Sequence, residues 1–238
     1  MSGVSSAPTA RGGVEAVLHA RELYRFYRAG PEEVLALRGV SLVVPAGQMV
    51  VVTGPSGSGK STLLACLAGL DEPDGGQVHL AGELLSHRPE GERTLLRRRY
   101  VGVLRQSGNL VGHLSVLDNV RLVQSLRGRG ARSFPAADVL AQVGLTARGR
   151  ALPQELSGGE LARAGLAVAL AADPVVLLAD EPTGELDQIT ERRVLELLQA
   201  AAGRGVAVVV ASHSPDVARA GDRVLRLTDG RWDGDGRR

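Results

Sequence analysis

The chain has 238 residues, 44% of them hydrophobic, and its 28 basic and 26 acidic side chains leave a net charge of +2. Such a composition suits a globular protein of one or two domains, and the even charge balance argues against a dedicated nucleic-acid binder. Cys66 is the single cysteine, which excludes an intrachain disulfide and fits a reducing compartment. No apolar run reaches the about 20 residues of a membrane-spanning helix, so a membrane role is expected to need a partner chain.

The amino-terminal part of the chain predicts a leader followed by antiparallel strands. Residues 1–14 are mostly small and polar, and we expect them to be a disordered leader. Three later segments, 15–23, 34–44 and 77–83, alternate apolar and polar residues as half-exposed strands do. They predict an antiparallel β flank.

The middle and the end of the chain predict a parallel α/β core. Apolar runs at 48–54, 175–180 and 205–212 lack alternation, which is typical of strands covered by helices on both faces. Residues 107–156 hold helical patterns without a convincing strand and predict a helical insert. The helices are expected at 60–70, 115–128, 135–143, 157–172, 188–201 and 214–219.

A glycine-rich loop between the first apolar strand and its helix matches a phosphate-binding pattern. Residues 54–61 fit G-x-x-x-x-G-K-[ST] at every fixed position. Lys60, the only lysine in the chain, would reach the β- and γ-phosphates of a nucleotide, and the Ser61 hydroxyl would ligate Mg²⁺. The expected nucleotide contacts here are Gly54, Pro55, Ser56, Gly57, Ser58, Gly59, Lys60, Ser61 and Thr62.

A second glycine pair opens the helix predicted at 157–172. Ser157 and Glu160 fit a capping box, but that motif does not explain Gly158 and Gly159, which weaken a first helical turn. Glycines at a helix start allow an anion to approach the backbone closely. Since the phosphate loop already binds phosphates within the same subunit, this turn is expected to grip the nucleotide of a second copy in a head-to-tail dimer.

Two carboxylates end the strand at 175–180. Asp180 is placed as a Mg²⁺ ligand, and the adjacent Glu181 as the base that activates or orients water. This pair points to ATP hydrolysis rather than to transfer onto a substrate hydroxyl. The alternative is that the carboxylates cap a helix that follows Pro182.

Together these motifs resemble the ATPases of the ABC transporter family, because Leu156-Ser-Gly-Gly-Glu160 is similar to the family's LSGGQ signature. The resemblance spans about residues 17–230. It implies an α/β fold, namely a P-loop NTPase, RecA-like core with an antiparallel β subdomain and an α-helical subdomain at about 107–160. The ATPase domain is then expected over 15–230 and a flexible tail over 231–238.

The resemblance also implies roles for four more residues. Tyr27 is similar to the aromatic residue that stacks on adenine, with Tyr24 as an alternative and a plain sheet-edge aromatic as the competing interpretation. Gln106 resembles the glutamine that touches Mg²⁺ or the attacking water. Asp187 falls in a loop that spans the dimer interface in the family, and His213 resembles the histidine that holds the γ-phosphate.

Within the family, the segment between Tyr27 and the next strand resembles the MacB, LolD and FtsE group. The implied protein is the ATP-binding subunit of an exporter or of a lipoprotein, peptide or drug efflux system. It is expected in the cytoplasm, held at the inner face of the cell membrane by a separate transmembrane permease, with ATP and Mg²⁺ as cofactors. The alternative is an FtsE-like signalling ATPase that moves no solute.

Four positions depart from the family pattern. Glu160 replaces the common glutamine, Arg105 stands before Gln106 in place of an aromatic residue, Val168 replaces an arginine and Ser214 follows His213 in place of an aspartate. These departures concern the rate of hydrolysis and the coupling between subdomains rather than the fold.

Overall fold

Two β-sheets organise the chain in this computed structural model, which describes residues 16–29, 32–127, 134–184 and 186–234. The predicted leader 1–14, Glu185 of the expected dimer-interface loop and the final residues 235–238 lie outside these ranges.

The first sheet is the predicted antiparallel flank. Its strands are β1 (Ala16–Ala29), β2 (Glu32–Pro45), β4 (Gly75–Leu80) and β5 (Glu83–Leu84), in the order β2-β1-β4-β5. Alternation places one side of each long strand in the core: Leu18 and Ala20 of β1 are fully buried, whereas His19 between them is exposed.

The second sheet carries the strands that the apolar runs predicted. It consists of β3 (Met49–Thr53), β6 (Val101–Leu104), β7 (Val176–Asp180), β8 (Ala207–Ala211), β9 (Arg223–Thr228) and β10 (Arg231–Trp232). The order is β10-β9-β3-β8-β7-β6, and only the β10–β9 pair is antiparallel. Val50 and Val51 point to opposite faces and both are fully buried, which explains the run without alternation.

Seven α-helices surround the sheets within the described ranges. They are α1 (Lys60–Leu67), α2 (Glu90–Tyr100), α3 (Val116–Leu126), α4 (Ala136–Gln142), α5 (Gly158–Leu170), α6 (Gln188–Gly203) and α7 (Pro215–Ala220). Short 3₁₀ turns lie at Thr146–Arg148 and Pro153–Glu155. None of the helices in the described ranges is long and apolar enough to cross a membrane.

Three hydrophobic clusters hold these layers together. The first joins the antiparallel sheet, α1 and one face of the parallel sheet, and the second joins the opposite face to α5 and α6. The third packs α3 and α4 against α5, with Val120, Leu140 and Ala167 buried at its centre. The predicted α/β architecture with an antiparallel β unit and a helical unit is confirmed.

The end of the chain differs from the sequence prediction. The flexible tail was expected to begin at residue 231, but Arg231 and Trp232 form β10 against β9. The Trp232 indole Nε1 donates a hydrogen bond to the Ser41 carbonyl oxygen at 2.8 Å, which ties this strand to β2. The Trp232 indole also packs against the first hydrophobic cluster, so it anchors the end of the chain. The predicted boundary at residue 231 did not take this contact into account.

Candidate functional site

A cavity of about 860 Å³ lies where β3, β7 and β8 end. The carboxyl ends of parallel strands are where α/β folds place their sites. Most of the predicted nucleotide and catalytic residues line it, namely Tyr27, Gly54, Pro55, Ser56, Gly57, Gly59, Lys60, Ser61, Thr62, Gln106, Asp180, Glu181 and His213.

The phosphate loop, residues 54–61, turns sharply between β3 and α1. Gly59, the residue before α1, has φ 102°, and a Cβ there would lie 2.4 Å from the Ala36 carbonyl oxygen. Only glycine fits that position. No side chain caps the helix start, and Lys60, Ser61 and Thr62 of its first turn line the cavity, so their backbone N–H groups are available to an anion there.

Lys60 lies beneath the loop, with only 9% of its surface exposed. Its ammonium Nζ donates to the carbonyl oxygens of Gly54 at 2.8 Å and Pro55 at 2.9 Å. The lysine therefore supports the loop from within while it lines the cavity, so a positive charge lies where phosphates would be received.

Ser58 is the one predicted loop residue that does not line the cavity. It is 3% exposed, and its carbonyl oxygen accepts from the Gly230 N–H at 3.1 Å. Ser58 thus fastens the phosphate loop to the turn after β9.

Asp180 and Ser61 fit a small hard cation such as Mg²⁺. Both line the cavity, and Asp180 Oδ1 is buried without a hydrogen-bond partner. A buried carboxylate oxygen without a partner is unfavourable unless a ligand satisfies it. Oxygen donors from one carboxylate and one hydroxyl match what Mg²⁺ takes from protein, with phosphates and water completing its shell.

Glu181 follows Asp180 in a strained conformation. Its φ is 46°, in the left-handed region that residues with a Cβ rarely adopt. The Ser212 hydroxyl donates to Glu181 Oε2 at 3.1 Å, and the ring Nδ1 of His213 lies 2.9 Å from Glu181 Oε1. The alternative role as a helix cap is not seen, because the next helix, α6, begins at Gln188.

Burial differs sharply between the two partners of this pair. The Glu181 side chain is 16% exposed and that of His213 is 72% exposed. A largely buried carboxylate beside a cavity, within hydrogen-bond distance of an imidazole, is an arrangement that suits general acid–base chemistry.

Tyr27 lies at the rim of the cavity on β1. Its hydroxyl donates to Asp71 Oδ2 at 2.6 Å, and the Arg25 guanidinium lies 4.8 Å from the ring centre. Burial and then the hydrogen-bonded Asp71 carboxylate raise the pKa of Tyr27 above its ordinary value. The alternative, Tyr24, does not line the cavity and packs its hydroxyl against Gly39.

Asp71 orients Tyr27 as part of a small ion cluster. Arg25 donates to both Asp71 oxygens, at 2.9 and 2.7 Å, and to Asp74 at 3.1 Å. Burial alone would raise the pKa of Asp71, but the hydrogen bonds from Tyr27 and Arg25 bring it below its usual range. The Tyr27 ring is therefore held at the mouth of the cavity by contacts with the charged side chains of Asp71 and Arg25.

Gln106 is exposed after β6 and lines two cavities. The second, of about 320 Å³, also includes Glu181, Gly158 and Leu161. Gln106 therefore shares this cavity with Glu181 and the start of α5.

The signature turn, residues 157–160, lies outside the large cavity. Ser157 and Glu160 form the predicted capping box: Ser157 Oγ accepts from the Glu160 N–H at 3.3 Å, and Glu160 Oε2 accepts from the Ser157 N–H at 2.9 Å. Arg148 lies 3.1 Å from Glu160 Oε1. The hydrogen bond from the Ser157 N–H, then the Ser157 side chain and last the nearby arginines lower the pKa of Glu160.

The two signature glycines have different surroundings. A Cβ on Gly158 would meet no atom within 4 Å, whereas one on Gly159 would lie 2.4 Å from Thr190 Cγ2 of α6. Close packing therefore gives Gly159 a structural reason that the sequence did not reveal. Gly158 has no such reason.

Asp187 is the N-cap of α6 and does not line the large cavity. It accepts from the N–H groups of Ile189 and Thr190, both at 3.0 Å, and from the Thr190 hydroxyl at 2.7 Å. The Thr190 hydrogen bonds are the main reason that the pKa of Asp187 is lowered. A capping role was not predicted for this residue.

Several cavity residues escaped the sequence prediction. Leu35, Ala36 and Arg38 of β2 and the turn residues Asp229 and Gly230 line it. The Asp-Gly turn, with φ 46° and 74°, was a readable signal. The contribution of β2 was not, because it depends on how the two sheets pack.

Comparison with known proteins gives a consistent result. A family model described as ABC transporter matches residues 37–184. The lipoprotein-releasing system ATP-binding protein LolD of Chromohalobacter salexigens is 42% identical over 220 residues, covering 91% of this chain and 93% of that protein. An uncharacterized ABC transporter ATP-binding protein of Thermotoga maritima is 41% identical over 224 residues, covering 93% and 96%.

Solved structures agree with the sequence relatives. The dimeric structure of a bacterial ABC transporter cassette superposes with a TM-score of 0.83 at 34% identity, covering 91% of this chain and 96% of that one. A dimeric post-hydrolysis state of the same cassette, bound to ADP and phosphate, has a TM-score of 0.83 at 35% identity, covering 91% and 97%.

Proposed function

This chain belongs to the ABC transporter family as an ATP-binding ATPase subunit, and on that premise we propose that two copies close head to tail over two ATP molecules. Each nucleotide would lie between the phosphate loop of one copy and the signature turn of the other. Closure and reopening would then drive a separate membrane-embedded partner.

The observation that carries the proposal is the separation of the two phosphate-binding elements within one chain. The large cavity gathers Lys60, Asp180, Glu181 and His213, but residues 157–160 do not line it. The N–H groups at the start of α5 and the open space beside Gly158 suit an anion. A second copy provides such an anion in its bound nucleotide.

Within each site, we assign Glu181 as the general base. Its carboxylate would take a proton from the attacking water, and His213, within 2.9 Å of it, would orient the carboxylate and hold the γ-phosphate. Lys60 would neutralise charge on the β- and γ-phosphates. Mg²⁺, held by Ser61 and Asp180 with Gln106 close by, would supply charge neutralisation at the phosphate oxygens.

The adenine would stack on Tyr27, whose ring Asp71 and Arg25 hold at the cavity mouth. Aromatic stacking binds a base through its flat face and adds about 1–3 kcal/mol. Asp187 would act at the dimer interface through the α6 start that it caps.

The membrane-embedded partner is proposed to dock on the helical unit near Gln106. Gln106 shares a cavity with Glu181 and the start of α5, and α3 and α4 pack against α5. A movement of α3 and α4 would therefore be transmitted through α5 to the surroundings of the proposed base. Relatives named as lipoprotein-releasing proteins support transport of a lipid-anchored cargo over the signalling alternative. The chain would then work at the membrane surface.

Glu181→Gln tests the proposal. The amide keeps the size of the side chain but cannot accept a proton, so ATP binding should persist while hydrolysis falls about 10²- to 10⁴-fold. With ATP trapped, the variant should sediment at twice the 24.9 kDa of one chain. Glu196→Gln, an exposed change on α6, serves as the control and should behave as wild type. Hydrolysis at the wild-type rate by Glu181→Gln would overturn the assignment of the base.

A further inference from the structure

Glu191 on α6 ties together the two segments that carry the catalytic pair. The hydroxyl of Thr183 donates to Glu191 Oε1 at 3.0 Å, and the hydroxyl of Ser214 donates to the same oxygen at 2.8 Å. Thr183 lies two residues after Glu181, and Ser214 directly follows His213. One carboxylate oxygen thus fixes both loops to one helix.

The other end of this arrangement is the catalytic pair itself. Ser212 Oγ donates to Glu181 Oε2 and accepts from the Ser214 N–H, each at 3.1 Å. The two segments are therefore linked twice: Ser212 and His213 contact the Glu181 carboxylate, and Glu191 on α6 binds Thr183 and Ser214. Two links at different points restrict the distance between the segments more than either hydrogen-bonded link would alone.

Burial makes the Glu191 link strong. Thr183 is 5% exposed, and Ser214 and Glu191 are half-buried, so water competes poorly for the Thr183 hydroxyl and only partly for the Ser214 hydroxyl. A hydrogen bond to a charged carboxylate contributes about 1.5–3 kcal/mol. Glu191 itself lies in the first turn of α6, whose start Asp187 caps, so the carboxylate projects from a rigid element.

Glu181 needs such support because its backbone is strained. A φ of 46° persists only where the surroundings determine it, and the hydrogen bond from the Glu181 N–H to the Ala211 carbonyl at 2.9 Å provides one constraint. The hydrogen bond from the Thr183 hydroxyl to Glu191 provides a second constraint, on the loop that follows Glu181.

We propose that Glu191 is a positioning residue for ATP hydrolysis, which holds Glu181 and His213 in register through Thr183 and Ser214. The proposal rests on the hydrolytic roles proposed above for that pair. Glu191 touches neither nucleotide nor water in this scheme, and it does not line the large cavity. Its removal should therefore lower kcat while leaving nucleotide binding intact.

The test compares Glu191→Ala with Glu191→Gln in the full chain. Ala removes both hydrogen bonds, and kcat should fall about 10- to 100-fold because a small displacement of a catalytic group has an effect of this size. Gln keeps an oxygen that can accept from both hydroxyls, and it should restore most of the rate. The Kd for ATP should change less than twofold in either variant, and Glu196→Ala on the exposed face of α6 should leave both kcat and Kd unchanged.

Thr183→Val provides a second route that preserves the buried volume. It removes one hydroxyl, and the double variant with Glu191→Ala should be no slower than Glu191→Ala alone, since both changes break the same link. A kcat of Glu191→Ala equal to wild type would overturn the proposal, as would a Glu191→Gln variant as slow as Glu191→Ala. Wild-type hydrolysis by Glu181→Gln would instead overturn the underlying function, so the two failures are distinguishable.

Discussion

The phosphate loop and the signature turn are both glycine-rich helix starts, yet their polar groups are used differently. In the phosphate loop no side chain caps α1, and Lys60 lies beneath the loop and lines the cavity. In the signature turn Ser157 and Glu160 satisfy each other's backbone N–H groups within one chain. The first element has no side-chain cap and lies beside a large cavity, whereas the second is fixed by its own side chains and lies outside that cavity.

This difference suggests a division of labour between the two elements. The cavity side should determine whether ATP binds at all, and the signature side whether two copies close over it. Changes to the first should therefore reduce affinity in a single chain. Changes to the second should reduce hydrolysis without altering the affinity of a single chain.

The largest effect is expected for Lys60→Met. Met keeps the length and the apolar stem but loses the charge and the hydrogen bonds to Gly54 and Pro55. Hydrolysis should fall about 100-fold or more, as is common when one preorganised cationic donor is removed. Equilibrium binding of a fluorescent ATP analogue should fall as well. Retained affinity would show that the charge is not used for binding.

A smaller effect is expected for Gly159→Ala, and it separates two explanations for this glycine. The new Cβ would lie 2.4 Å from Thr190 Cγ2, so thermal stability should fall. Thr190→Ser removes that methyl group and keeps the hydroxyl that Asp187 binds. The double variant should regain stability while hydrolysis stays about tenfold reduced, because the backbone remains shielded from the partner's nucleotide. Full recovery of hydrolysis would mean that Gly159 serves packing alone.

Tyr27→Leu should weaken ATP binding about tenfold, which corresponds to about 1.4 kcal/mol of lost stacking. Tyr27→Phe keeps the ring and loses the hydrogen bond to Asp71, so it should change affinity far less. Calorimetric titration of both variants measures the difference. Equal losses would show that the hydroxyl, and not the ring, matters.

The smallest effect is expected for Ser157→Ala, which removes the cap of α5. The free energy of unfolding should fall by about 1 kcal/mol, while the ATP affinity of the single chain should not change. Chemical denaturation monitored with and without ATP measures both. A loss of ATP affinity in the single chain would contradict the claim that the signature turn does not contribute to ATP binding within one chain.

The sequence predicted the parts of this molecule whose physics is local. The Val run of β3, the phosphate loop and the capping box depend on neighbouring residues, and each lies where it was expected. Strand β9 was missed because it alternates burial instead of forming an apolar run. The β10 strand was missed for a different reason, since it depends on a Trp232 contact with Ser41 across 191 residues.

The contacts of the candidate site that the sequence did not predict likewise join residues that are far apart in the chain. No spacing rule connects Glu191 to Ser214, which lies 23 residues further along the chain. The contact between Gly159 and Thr190 depends on how α5 and α6 pack, and an isolated motif carries no information on it. Motifs therefore located most of the residues that line the large cavity, and the fold was needed to find those that hold them in place.

The central claim, that two copies share each nucleotide, is tested most directly by mixing two inactive variants. Lys60→Met disables the phosphate loop, and Gly158→Asp places a carboxylate in the signature turn, where a new Cβ meets no atom within 4 Å. A mixed dimer would contain one site built from an intact phosphate loop and an intact signature turn. The account predicts that the mixture hydrolyses ATP at a rate well above the sum of the rates of the two variants measured separately. A mixture as inactive as each variant alone, although the two chains are shown to associate, would contradict it.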